Sequence, residues 1–298
     1  MRKLIVALIA LTALPLAAQT ADEIVSKYIK TIGGMDKVQA VQSVRRSGKF
    51  TGGGGFEARV MEEKKRPGEI RQEFSIQGMV GVNAYDGKTG WKIEPWEGKK
   101  DAEPLGEEEM KSIVEDSDFD GPLVDYASKG NKVEYVGVDP VQGDDTYKLK
   151  VTLKNGDVQY YYMDTDYYVP IKIETKRFIR GEERESETFL GDYKAVAGVY
   201  FPYSMESGQK GSSFHSKISV EKIEVNVPIA ESRFVEPRPG GQLPAGAPDA
   251  SNLQPKPAED KKSPPAQEPK KPPVALRGGP PPPAAAAEGR GAPQERAR

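Results

Sequence analysis

The sequence predicts an α+β fold, one large antiparallel sheet that curls on itself with a few helices grouped on one face. Three observations predict it. Between residues 43 and 227, strand-type alternation recurs as about eleven or twelve runs bounded by turn signals. Most successive runs are joined by short turns, as antiparallel neighbours are, and a sheet of this size does not stay flat. Helical periodicity is confined to two short stretches ahead of the strands and one insertion among them, which is α+β architecture.

The chain begins with Met1-Arg2-Lys3 and a short apolar run, Leu4 to Leu16, followed by small residues. This reads as a secretory signal peptide over residues 1–18, cleaved at Ala18, and the run is too short for a stable spanning helix. There is no cysteine, which removes disulfides, thiolate metal sites, a cysteine nucleophile and the lipid-modified cysteine of a bacterial lipoprotein. The mature protein is therefore expected to be soluble and periplasmic.

Thr20-Ala21-Asp22-Glu23 has the form of a capping box opening a helix, with Ile24, Val25, Tyr28, Ile29 and Ile32 along one face and Gly33-Gly34 at its end. A second short helix is expected over Met35 to Val41. Val44 to Phe50 and Phe56 to Glu63 form a hairpin around Gly52 to Gly55. Those glycines are not followed by the Gly-Lys-Ser/Thr of a phosphate loop, so they read as a flexible turn.

The stretch from Lys64 to Trp96 reads as a three-strand meander, with Pro67-Gly68 breaking the first run, Gly78 at a turn and Asp86-Gly87 as a hairpin signal. Alternation places Ile70, Phe74 and Ile76 on one face and Arg71 and Glu73 on the other. Val80, Val82 and Ala84 alternate likewise, as do Trp91 and Ile93. Together these are expected to build one concave apolar wall with an arginine at its edge. Residues 104 to 130 break the strand pattern: Glu107-Glu108-Glu109 suits a helix N-terminus, and Met110, Ile113 and Val114 lie on one helical side. With the apolar cluster Phe119, Leu123, Val124 and Tyr126, this insertion is expected to be a helical flap over one sheet face. Strands resume from Lys132 and continue to Val227, with Asn155-Gly156 as a further hairpin signal.

Residues 19–236 thus form the expected domain. Residues 237–298 hold 16 of the 25 prolines and no aromatic residue, and are expected to be a disordered Pro/Ala-rich tail. The tail carries 10 basic and 6 acidic residues, whereas the body without the leader carries 31 basic and 39 acidic residues. That acidic body argues against nucleic-acid binding. Chemistry is poorly supported as well. His215 stands alone in a polar strand, the carboxylates sit in solvated runs, and no nucleophile elbow or Walker motif occurs. No catalytic residue, metal or cofactor is expected. The dense tyrosines at 160–162, 167–168 and 200–203 fit core packing, with an apolar cavity wall as the functional alternative.

Lys65-Arg66-Pro67, then Asp86-Gly87-Lys88-Thr89-Gly90-Trp91 and Pro95, resembles the LolA-type outer-membrane lipoprotein-sorting carriers of Gram-negative bacteria. The order of leader, N-terminal helix, Arg-Pro strand, Asp-Gly-Lys-Thr turn and helical insertion agrees. The resemblance covers roughly residues 22 to 236. It implies an unclosed antiparallel half-barrel of about eleven strands, helices covering the concave face, and a hollow that takes acyl chains of lipoproteins. It further implies that Arg66 tethers the lid helices and that Ile70 lines the cavity, although the family often has an aromatic residue at that place.

The ligand-binding residues expected on these grounds are Arg66, Ile70, Phe74, Ile76, Val82, Trp91, Ile93, Trp96 and Phe119. The expected partners are acylated lipoproteins or lipids, with inner-membrane donor and outer-membrane acceptor proteins. The competing reading is an envelope lipid-sensing or protein-binding module that uses the same cavity plus the tail.

Overall fold

The structure, a computed structural model, describes residues 19–179 and 181–238. The expected signal peptide, 1–18, and the tail from residue 239 onward lie outside the described residues.

Helix α1 (Ala21–Thr31) opens as the capping pattern requires. Thr20 Oγ1 accepts from the Glu23 amide at 3.2 Å, and Glu23 Oε2 accepts from the Thr20 amide at 3.0 Å. A short α2 (Met35–Ala40) follows. The strands are β1 (Ser43–Thr51), β2 (Glu57–Lys65), β3 (Glu69–Ile76), β4 (Met79–Tyr85), β5 (Gly90–Ile93), β6 (Glu103–Pro104), β7 (Lys132–Val138), β8 (Thr146–Thr152), β9 (Val158–Asp164), β10 (Pro170–Ile179), β11 (Glu182–Val196), β12 (Val199–Gln209) and β13 (Ser216–Val225). Helix α3 (Glu107–Ser117) lies between β6 and β7.

All strands of the described residues join one antiparallel, unclosed sheet in the order β6-β5-β4-β3-β2-β1-β13-β12-β11-β10-β9-β8-β7. The sheet has thirteen strands where about eleven were expected. The two-residue β6 is too short to alternate and contains Pro104, which an edge position tolerates because its missing N–H faces away from the ladder. The expected flap is only half helical. After α3 the chain runs in turns from 119 to 130.

Strand order fixes the path of that segment. β6 and β7 are the two edges of the sheet and are consecutive in the chain. Residues 105–131 therefore travel from one edge to the other across a sheet face.

Pairing register assigns each side chain to a face. On the helix side, Ile24 and Val25 pack with Leu149, Val151, Tyr161 and Met163, while Ile32, Val38 and Val41 pack with Val44, Val199, Val220 and Ile223. Helix α3 sits over the β5 end of the sheet. A Cβ on Gly90 would stand 2.7 Å from both Met110 Sδ and Leu105 Cδ1, so that approach needs a glycine.

The opposite face carries the C-terminal end of the described chain. Ile229, Arg233 and Phe234 are buried there. Arg71 donates to the Arg233 carbonyl at 2.9 Å and Trp91 Nε1 donates to the Phe234 carbonyl at 2.7 Å. A buried ion network holds this strap. Arg233 pairs with Glu73 at 2.8 Å and with Glu63, while Arg45 reaches Glu63 at 2.8 Å and Arg71 reaches Glu73 at 2.7 Å.

Candidate ligand-binding site

The site grows from Arg66, which follows β2 where the edge-to-edge segment passes. Its Nη1 and Nη2 each donate to an Asp120 carboxylate oxygen at 2.6 Å, a bidentate pair. Nε donates to the Val41 carbonyl at 2.8 Å and Nη2 to the Val38 carbonyl at 3.1 Å, both at the end of α2. The guanidinium also stacks 4.3 Å from the centre of the Phe119 ring. One side chain thus ties the sheet to α2 and to the crossing segment. The planar fork of arginine suits that task, because its donors leave in fixed directions.

The crossing segment is held elsewhere too. Lys92 pairs with Glu109 at 2.7 Å from β5, Arg177 pairs with Glu115 from β10, and Lys64 donates to the Asp116 carbonyl from β2. Hydrogen bonds donated to Glu109 and Glu94 hold the Lys92 ammonium above its ordinary pKa. Burial pushes Glu115 up, with Arg177 partly offsetting it.

Besides a cavity of about 280 Å³ lined by α3 residues such as Ser112 and Ile113, two cavities border this segment. The larger, about 650 Å³, has Phe50, Val60, Phe74, Trp96, Met205 and Ile218 in its wall. Four aromatic rings cluster at its end. Phe50 and Phe74 meet edge-on at 5.1 Å, Phe56 stacks on Phe74 at 6.2 Å, and Trp96 meets Phe74 edge-on at 6.3 Å. Phe56 and Trp96 are 41% and 42% exposed, so this end is open to solvent. Trp96 lies there because residue 81 has no side chain. A Cβ on Gly81 would stand 1.9 Å from the indole. The smaller cavity, about 320 Å³, lies beneath α1, α2 and Phe119, with Tyr28, Tyr161 and Tyr193 in its wall. Burial, then the nearby Asp120 carboxylate, pushes the Tyr28 hydroxyl up to about 12, and burial likewise raises Tyr161 and Tyr193, so all three stay neutral. Among the described residues, no group of three His, Cys, Asp or Glu is placed to hold a metal ion.

The expected residues divide between faces. Ile70, Phe74 and Ile76 share the helix-side face; Phe74 and Trp96 line the larger cavity, and Arg66 and Phe119 stand at the smaller one. Ile70 is fully buried and Ile76 ends its strand, and neither lines either of these two cavities. Val82, Trp91 and Ile93 do not belong to the same wall. Val82 pairs with Glu73, Ala84 with Arg71 and with Trp91, and Val82 with Ile93. Their side chains therefore share the face of Arg71 and cluster away from Phe74. Val82 and Ile93 nevertheless line the larger cavity. The cause is the two-residue turn Gln77-Gly78, which sets Ile76 opposite Met79 and so reverses the assumed phase.

Arg46, Glu62 and Lys64, which also line the larger cavity, were not expected as site residues. They look like ordinary solvated strand charges in the sequence. The available signal was their parity with Val44 and Val60, which a hairpin register would have carried to the inner face. His215 lies 3.4 Å from Glu187 on the opposite face.

The sequence matches no protein-family model and no curated protein. Solved structures do match. A DUF1329 family protein from Desulfovibrio piger superposes with a TM-score of 0.51 at 14% identity, covering 74% of this chain and 99% of that one. A LolA superfamily protein from Nitrosomonas europaea superposes with a TM-score of 0.50 at 12% identity, covering 73% and 98%. This chain has a LolA-like fold. The resemblance carried by Arg66-Pro67 and Asp86 to Trp91 therefore holds at the level of architecture.

Proposed function

We propose that this protein is a periplasmic carrier that shelters acyl chains of lipoproteins, or related lipids, in the cavity beneath its crossing segment and moves them toward the outer membrane. In this reading the sheet is a curved half-barrel whose concave face the helices cover. The observation that carries the proposal is the larger cavity, about 650 Å³, with Phe50, Phe74 and Trp96 in its wall and an open aromatic end. Pockets for small apolar ligands have volumes of roughly 300–1,000 Å³. A carrier needs burial without chemistry, and each CH₂ removed from water contributes roughly 0.8 kcal/mol.

Arg66 supplies the second part. Its bonds to Asp120, Val38 and Val41 are the contacts that would have to yield if the helices move apart for a ligand. Donor and acceptor proteins at the inner and outer membranes belong to the same proposal.

The test is native mass spectrometry of the protein purified from a bacterial periplasm, followed by solvent extraction. A bound acylated species is expected, and its mass separates a lipoprotein from a free lipid. A bare chain that also refuses added lipid would overturn the carrier reading.

A further inference from the structure

The two cavities share a partition. Arg46, Lys64 and Met205 line both. The partition is charged on the helix-side face, where a receptacle for plain hydrocarbon would be apolar. Arg46 Nη2 lies 2.7 Å from Glu62 Oε1, yet Arg46 Nε is buried without a hydrogen bond among the described residues. A donor buried without a partner is costly, so it marks a place where a ligand oxygen would be favoured. Lys64 directs one bond to the Asp116 carbonyl, and an ammonium has three donors.

From this we infer that the cavity takes a single-chain amphiphile with an anionic head, a carboxylate or a phosphate, whose chain lies among Phe50, Phe74 and Trp96 and whose head rests on Arg46 and Lys64. The inference rests on the carrier reading and narrows its ligand class.

The neighbouring carboxyls leave one edge of the Arg46 guanidinium unpaired. Glu62 is engaged with Arg46 Nη2, which leaves the Nε edge for an incoming oxygen. Asp116 faces the same space, and burial pushes its carboxyl up, Lys64 offsetting only part of this. Gln72 Nε2 sits 3.5 Å from both carboxylates. Arg46 and Lys64, with a hydrogen bond from Gln72, hold the Glu62 carboxyl below its ordinary pKa against the burial that would raise it. A planar guanidinium and a flexible ammonium together suit an oxyanion.

Isothermal titration calorimetry of the full-length mature protein, freed of bound lipid, tests this. The probes are dodecanoate, monododecyl phosphate and dodecanol at neutral pH. The anions are expected to bind at least about tenfold tighter than the alcohol, as one or two charge-assisted hydrogen bonds give. Whichever anion is tighter separates a fatty-acid carboxylate from a lipid phosphate. Arg46→Gln is expected to shrink the anion-to-alcohol ratio, with circular dichroism checking its fold. The ratio in the unaltered protein decides the matter even where that variant fails to fold. Equal affinity for the anions and the alcohol would overturn the inference and leave the carrier reading standing. If none of the three binds, both fall.

Discussion

Trp91 donates its indole N–H to the Phe234 carbonyl at 2.7 Å, across 143 residues of chain. The contact lies on the face away from the helices. The two conspicuous parts of the Arg66 to Trp91 stretch therefore serve opposite sides of one sheet. Arg66 binds the segment that crosses the helix side, and Trp91 binds the C-terminal strap on the other.

The strap depends on Arg233, which is 7% exposed between Glu63 and Glu73. Arg233→Met is expected to destabilise the protein by about 3–5 kcal/mol, because it leaves two buried carboxylates short of a partner. Urea unfolding measures this. A loss below about 1 kcal/mol would show that the strap is dispensable.

Loss of the Arg66 side chain acts on the other face. Arg66→Leu removes the bidentate pair to Asp120 and both bonds to α2. Each charged hydrogen bond contributes about 1.5–3 kcal/mol at most, and the bonds are not additive. Faster amide exchange is expected in α2 and residues 118–122, with little change in β7 to β9. In the carrier reading the variant also releases lipid less readily than the parent. Uniform exchange across the chain, or unchanged lipid release, would contradict the tether role.

Trp96 reports on the cavity. The chain has two tryptophans, so Trp91→Phe leaves Trp96 as the sole indole emitter. Its 42% exposure gives red-shifted emission, and an alkyl ligand is expected to shift it to the blue. Adding Gly81→Ala, whose Cβ would meet the indole at 1.9 Å, should swing the ring outward and weaken that shift. An identical shift with and without the added methyl would place the ligand elsewhere.

Glu69 ties the strap to pH. Burial, assisted by a hydrogen bond and repulsion from Glu231, raises its carboxyl to about 7 against an ordinary 4.5. A folded-state pKa above the unfolded value means that the folded chain holds the proton more tightly. The contribution is complete below about 4.5 and is lost as pH rises through about 7. Stability relative to Glu69→Gln should therefore fall between pH 5 and 8. Urea midpoints at unit intervals check it, and a flat difference curve would refute it.

Much of this was readable in the residues themselves. The capping box at Thr20 and Glu23, the glycine stop after α1 and the turns at Gly78, Gly87 and Gly156 are local signals, and each stands where expected. Arg66 was singled out through the resemblance carried by Arg66-Pro67 and the Asp86 to Trp91 turn, not through its spacing. The wall was not. Alternation gives the phase of a strand but not which face is which, so Val82, Trp91 and Ile93 were assigned with Phe74.

By itself the sequence determined the helix caps, the turns, the antiparallel order from β1 to β5 and the position of the helical insertion, because each depends on residues within a few places of one another. Only the tertiary structure decided that β1 pairs with β13, that residues 105–131 run from edge to edge, that Trp91 anchors the strap, and that Arg46 and Lys64 face a cavity. Those facts depend on the register of distant strands. A slip of one residue exchanges the two faces, and only burial summed over the whole sheet selects between them.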